Sequence, residues 1–400
     1  RIVSVKSYER SVVAKSELTT TVHEGLSKVN VTVVVSTAIC LLPEKPMARR
    51  REDWRVGYFS TPSTIYNDEQ QKVEHASYIT RWRLEPKDTA AYMRGELTEP
   101  VKPIDFYIGG AVPAHLRPYI IKGILDWNVA FERAGFKNAV RAIVPDDTLD
   151  VEGDDMHYSV LTYAASEKAN AMGPSTIDPR TGEILEADII WWHNVQSLIS
   201  EWITVQTGAV DPRARSLKLP IELIGDAVRF VACHEVGHSL GLRHNMMASA
   251  AYPTDSLRSE SFTTRMGGTS ASIMDYARFN YVAQPGDNVK VMSPNIGVYD
   301  LMAIEWGYRW YPQGTNEDEV LSAFLEKHKG KEYRYSEAQP QRAAVDPRAL
   351  SEDLGDDPVK SARLGIENLK RVMPNLVEWT KNDKPGQNYD EAAGLYSAII

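Results

Sequence analysis

His234-Glu-Val-Gly-His238-Ser-Leu-Gly241-Leu-Arg-His244 is the stretch on which the reading of this 400-residue sequence turns. It fits the pattern H-E-x-x-H-x-x-G-x-x-H. Residues four apart on a helix share a face, so His234 and His238 can present imidazole nitrogens to one ion. A continuing helix would carry residue 244 to the wrong side. Glycine adopts positive φ without steric cost, so the chain can turn at Gly241 and return His244 as a third ligand. Three imidazoles and one open position form the ligand set of a catalytic zinc, one per chain, and not of a closed structural one. Glu235 lies about 100° further round the helix, which aims its carboxylate at the open position. There it can accept a proton from a water that zinc activates and deliver it to a leaving amine. The bland reading is a set of ordinary buried histidines. It requires a coincidence on the order of one in 10⁴–10⁵ chains, on a helix that also ends at the required glycine.

Working outward, Pro220 opens the helix at its first turn, where a missing N–H costs nothing. Ile221, Ile224, Val228 and Val231 form its apolar stripe. Upstream, residues 113–136 read as one helix with Ile120, Ile124, Trp127 and Phe131 on a single face, ended by Gly135. Residues 104–108, 140–144 and 158–163 have strand composition. Residues 171–177 and 184–192 flank a turn at 178–182, as in a hairpin or meander, and 196–205 reads as helix. Downstream, loops extend to Pro294, and helices are expected over 298–310, 316–329 and 358–382. The start of the chain is β-rich, with strands expected at 2–5, 28–36, 56–60 and 78–84. This divides the chain into a β-rich segment (1–98) belonging to a larger flanking domain, a zinc-binding domain (99–312) and a helical extension (313–400). The fold class is α+β.

Composition narrows the function. The hydrophobic share of 43% is enough for a core, and the net charge of −9 gives no broad basic surface for nucleic acid. No apolar run reaches the roughly 18–20 residues that span a membrane. The sequence begins at Arg1 without a signal segment and ends in an apolar stretch, so both ends read as cuts in a longer protein. Cys40 and Cys233 make no disulfide framework. Cys233 reads as core packing beside a ligand, and Cys40 sits in an apolar strand with no switch motif around it. His193, His23, His75, His115, His157 and His328 lack ligand spacing.

A second signal is Ser272-Ile-Met274-Asp-Tyr276, downstream of the histidines. With the zinc motif, it makes the sequence resemble the metzincin clan of astacins, serralysins, reprolysins and matrixins. The run from Phe106 through Trp127, Ala187-Asp-Ile-Ile-Trp191, the zinc helix and residues 272–280 resembles one group in particular. This is the large exported bacterial metzincins similar to the Ecx toxin protease subunit, over about residues 100–310. The resemblance implies a metzincin-like domain with a twisted, mostly parallel sheet, an antiparallel edge strand above the cleft and a methionine turn. It implies that Met274 floors the site without binding metal, and that Tyr276 lies near the zinc, where its phenol could bind metal or donate to an oxyanion. A peptide substrate would lie along Ala171, Met172 and Gly173, with Ala171 and Gly173 leaving room for its approach and Pro174 suiting an edge. It implies zinc-dependent hydrolysis of internal peptide bonds, by an enzyme secreted or held in the bacterial cell envelope.

Asp353, Asp356 and Asp357 surround Gly355. Structural calcium is an alternative there, but the spacing is not that of an EF-hand and a solvated loop is the favoured reading. Two other functions compete with this one: a zinc-binding but inactive scaffold, and a glycan-binding or structural module in which metal only stabilises the fold. Intact Glu235 argues against the first, and the open three-histidine set against the second.

Overall fold

The computed structural model describes residues 1–400 except 26, 147, 148, 150, 152, 341, 342 and 382–387. The chain begins with an antiparallel sheet of β1 (Ile2–Ser7), β2 (Ser11–Glu24) and β3 (Ser27–Cys40). The sequence reading missed β2, whose Ser, Lys, Glu and Thr residues hide the apolar alternation. Pairing with β3 along its whole length makes it a strand. A hairpin of β4 (Ser60–Ile65) and β5 (Glu74–Ile79) follows. The strand expected at 78–84 thus starts earlier and stops at Ile79. Beyond it, Arg81 makes a single bridge to Glu183. Short helix α1 (Thr89–Met93) is capped by the Asp88 carboxylate.

The central sheet is built from β6 (Ile104–Ile108), β7 (Val140–Ile143), β8 (Ser159–Ala164), β9 (Ala171–Met172) and, after the hairpin β10 (Ser175–Asp178)–β11 (Glu183–Ala187), β12 (Ile189–Trp192). Its order is β7-β6-β8-β12-β9. The pairs among the first four strands are parallel, and β9 runs antiparallel to β12 at the edge. This is the mixed sheet with an antiparallel edge that the resemblance implied. The expected helix over 113–136 is divided into α2 (Arg117–Leu125) and α3 (Asn128–Arg133). Asp126 and Trp127 keep right-handed helical dihedrals, so the chain holds its course. Ile120, Ile124, Trp127 and Phe131 all remain buried. The Trp127 indole donates to the Cys233 carbonyl at 2.8 Å, which ties this layer to the zinc helix.

Helix α4 (Val195–Thr207) and the zinc helix α5 (Ile221–Ser239) come next. Helix α5 packs against α2 and α4. A loop-rich region contains α6 (Glu260–Met266) and leads to α7 (Val298–Tyr308) and α8 (Glu317–Glu326). Helix α9 (Pro358–Val372) stops short of the expected end because Pro374 has no N–H to continue it. Helices α10 (Leu376–Trp379) and α11 (Asp390–Ile399) close the chain. The far end of the 358–382 expectation, Asn382, lies outside the described residues. Among the described residues no helix is long and apolar enough to cross a membrane.

One hydrophobic cluster joins all three stretches. Val56, Tyr58, Ile79, Trp82 and Leu84 are buried with Val228, Val236 and Leu240 of the zinc region and with Leu321 and Leu325 of α8. Arg50 fastens this arrangement. Its buried guanidinium donates to the Trp306, Gly307 and Arg309 carbonyls at 2.8, 2.6 and 2.9 Å, and to Glu317 at 2.9 Å. Those carbonyls end α7 and have no next turn to bond. Arg50→Ala would leave buried carbonyls and a carboxylate unpaired, so it should cost about 3 kcal/mol of stability. A urea titration of the variant beside the wild type measures this.

Candidate metal centre

The three histidines converge. The Nε2 atom of His244 lies 3.1 Å from Nε2 of His238 and 3.2 Å from Nε2 of His234. Zinc–nitrogen bonds of about 2.0–2.1 Å in a tetrahedron set nitrogens roughly 3.3 Å apart, so the donor set fits zinc. Among the described residues it is the one group of three or more His, Cys, Asp or Glu placed to hold an ion. The opposite ring nitrogens fix the orientation. Nδ1 of His234 is 2.8 Å from the Ile273 carbonyl, and Nδ1 of His238 is 2.8 Å from the Leu242 carbonyl. A carbonyl only accepts, so each Nδ1 carries the proton and each Nε2 offers its lone pair. Burial lowers the pKa of all three imidazoles, His244 to about 3, which keeps them neutral and able to ligate.

Gly241 makes this convergence possible. Its φ is +95°, and a Cβ there would land on the Thr80 carbonyl oxygen. Glu235 is buried beside the ligands, and desolvation raises its carboxyl to about 7, with Arg278 acting in the opposite direction. A group that titrates near neutrality suits proton transfer in both directions. Tyr276 lies beside two of the histidines. Its ring centroid is 4.4 Å from that of His244 and 5.6 Å from that of His234. Met274 is fully buried under the site.

The sequence reading missed four supports. Gly237, one of the unspecified positions of the motif, has no room for a side chain: a Cβ would overlap the Met274 sulfur. Asp300, at the start of α7, accepts from Ser272 Oγ at 2.6 Å, Ile273 N at 2.7 Å and Gly297 N at 2.7 Å. It thereby fixes the Ile273 carbonyl that orients His234. Asn245 donates to the Arg334 carbonyl and accepts from Ser336 N, which holds the segment leading to Glu337 against the loop after His244. Arg278, with φ of +51°, places its guanidinium 4.2 Å over the Tyr276 ring and 4.1 Å over Trp202, and pairs with Glu352 at 2.8 Å. None has a local signature except Gly237, whose small size beside a ligand was readable.

A cleft of about 500 Å³ opens over the histidines, lined by Ala171, Met172, Gly173, Glu235, His238, His244 and Tyr276 among others. The edge strand β9 therefore borders the site. One expectation needs correction: Gly173 is not small to admit a peptide. A Cβ there would stand 2.7 Å from the Glu235 carbonyl and 2.9 Å from Ser239 Oγ, so its size lets the end of β9 pack on α5. The acidic cluster is solvated at Asp356 and Asp357, as expected, but Asp353 is buried. Asp353 accepts from Ser249 Oγ, Asp356 from Thr254 N and Asp357 from Lys360 N, so each carboxylate is turned to its own partner. Cys233 is buried core, and burial pushes its thiol pKa up. Cys40 ends β3, its thiol directed to the Leu41 carbonyl.

Gly237→Ala should displace Met274 and loosen the floor under the ligands. Loss of such support typically weakens metal affinity by about 10–100-fold. Competition against a chromogenic chelator measures it, and unchanged affinity would show the floor to be dispensable.

Comparison with known proteins bears on the same residues. Residues 1–87 match a family described as a domain of unknown function (DUF5117). No curated protein and no solved structure matches the chain. Residues 216–400 match the family described as Met-zincin, and this span holds the three histidines, the glycine turn and Met274. The chain thus carries a Met-zincin domain, and its three-histidine centre is of the metzincin type.

Proposed function

We propose that this protein is a zinc-dependent endopeptidase that hydrolyses internal peptide bonds, with Glu235 as general base and then general acid. The observation that carries the reading is a buried carboxylate lining the same cleft as two of three converging imidazoles. Zinc, held by Nε2 of His234, His238 and His244, would polarise the scissile carbonyl and lower the pKa of water. Glu235 takes the proton of the attacking water on its carboxylate and returns it to the departing amine nitrogen. The Tyr276 phenol donates a hydrogen bond to the oxyanion as it develops. The guanidinium of Arg278, over the face of Tyr276, keeps that ring in place. An extended peptide lies along the outer edge of β9, at Ala171 and Met172, where main-chain groups can bond to any sequence.

A peptide-library or casein digestion with and without a chelator tests the reading. Cleavage should require metal and should occur inside chains. Glu235→Gln should retain zinc and lose activity by at least ~10². A variant that cleaves at the wild-type rate would sink the base assignment. Tyr276→Phe should lower kcat by ~10–100-fold with KM and zinc content little changed. If kcat does not move, the ring serves only in packing.

A further inference from the structure

The wall of the cleft contains a residue from outside the zinc domain. Phe59 lies in the segment matched by the domain of unknown function, yet it lines the same cavity as Glu235 and His244. Its ring centroid is 5.9 Å from that of His238. It is held by its backbone on both sides. Its N–H donates to the Gly241 carbonyl at 2.8 Å, and its carbonyl accepts from Thr80 N at 2.7 Å. Next to it, Tyr58 bridges to Leu242, and Arg243 N donates to the Gly57 carbonyl at 2.9 Å. Residues 57–59 thus run as a short antiparallel partner to the turn between the second and third zinc ligands. A removable segment would not be woven in this way, because its loss would strip the Gly241 carbonyl of its donor and expose the buried Tyr58.

Phe59 is nevertheless 43% exposed, and Met172 on β9 is 45% exposed. Both line the cleft. Two large apolar side chains that stay open to solvent inside a concave site are surface ready to be covered. Ionic selection by this wall is weak, since Arg243 and Glu337, the other charged residues lining the cleft besides Glu235, are paired with each other.

We propose that Phe59 is a specificity-determining residue of the catalytic cleft, and that it selects peptide substrates carrying a large aliphatic or aromatic side chain at the position that passes His238. The DUF5117 segment then has a function here: residues 57–59 are a fixed wall of the active site, not a cover over it. This rests on the endopeptidase reading for the chemistry, but not for the binding.

The experiment has two arms, both on the full 400-residue chain. In the first, a peptide library is digested by the wild type, Phe59→Ala and Phe59→Leu, and cut sites are read by mass spectrometry. Wild type should favour large apolar residues at one position beside the cut. Covering a side chain of that size against an aromatic wall is worth about tenfold in kcat/KM. Phe59→Ala should erase that preference through KM, bringing the apolar peptides down to the level of those bearing alanine, with zinc content intact. Phe59→Leu should keep part of it, which guards against a folding defect in the alanine variant. In the second arm, fluorescent peptides bearing leucine, phenylalanine or alanine at that position, or in turn at each central position if nothing is cut, are bound to zinc-loaded Glu235→Gln, with and without Phe59→Ala. The apolar peptides should bind about tenfold tighter only when Phe59 is present. Cleavage whose selectivity is the same in all three proteins overturns the inference, and so does Phe59→Ala with faster turnover on every peptide, which would make the ring an obstruction. If nothing is cut yet the Phe59-dependent binding difference persists, the endopeptidase reading fails and the role of Phe59 in selection stands. If neither cleavage nor the binding difference is found, both fall.

Discussion

The C-terminal end of the zinc helix carries the constraint on which the other features rest. A helix ends with carbonyls that have no partner in the next turn, and here they are buried. The chain must also reverse within five residues of His238 so that His244 returns to the same point. A long loop that could reach water is therefore not available. The carbonyls are satisfied from three separate regions instead. The Trp82 indole donates to Ser239 at 2.8 Å, the Tyr308 phenol to Leu240 at 2.7 Å and the Phe59 N–H to Gly241 at 2.8 Å. The donors come from the N-terminal segment and from α7, so the ligand turn is where distant parts of the chain meet. The left-handed backbone of Gly241 lets them approach this closely.

A similar logic governs the floor. Nε2 can point at a metal only if Nδ1 is held, and the Ile273 carbonyl holds Nδ1 of His234. That carbonyl would be free to swing without Asp300, which binds the residue's N–H and the neighbouring Ser272 hydroxyl while also accepting from the N–H of Gly297, just before α7. Met274 fills the space between this turn and α5, and the bare backbone of Gly237 leaves it room. The chain from α7 through Asp300 and Ile273 to His234 consists of short contacts between buried groups. Rigid support of this kind holds a site to the tolerance that catalysis needs.

The cleft above is assembled from both sides of the primary sequence. Edge strand β9 supplies Ala171 and Met172, the N-terminal segment supplies Phe59, and the chain near residue 337 closes the remaining side. Arg278 acts across these parts. It lies over Tyr276, pairs with Glu352 and moderates the upward push that burial gives Glu235. Its positive φ is strain for a non-glycine residue, kept in place by its contacts with Tyr276, Trp202 and Glu352.

The sequence by itself determined the ligands and the turn, which are written in local spacing: four residues between His234 and His238, and a glycine where φ must be positive. Strand composition at 104–108 and 140–144 marked strands there, without fixing how they pair. The α+β class was legible in the order of those elements, while the mixed sheet and the edge position of Ala171 and Met172 came only from the resemblance to metzincins, which supplied the topology. Tertiary structure decided what depends on contacts between residues far apart in the chain. Strand β2 exists through its pairing with β3, not through its own composition. Gly173 is small because α5 lies behind it, not because a substrate lies in front. The acidic residues 353, 356 and 357 answer separate donors, which spacing alone could not reveal. Asp300 and Phe59 carry no motif at all. Their roles arise because a buried helix end and a buried turn need hydrogen-bond partners, and only the folded chain determines which distant residue provides them.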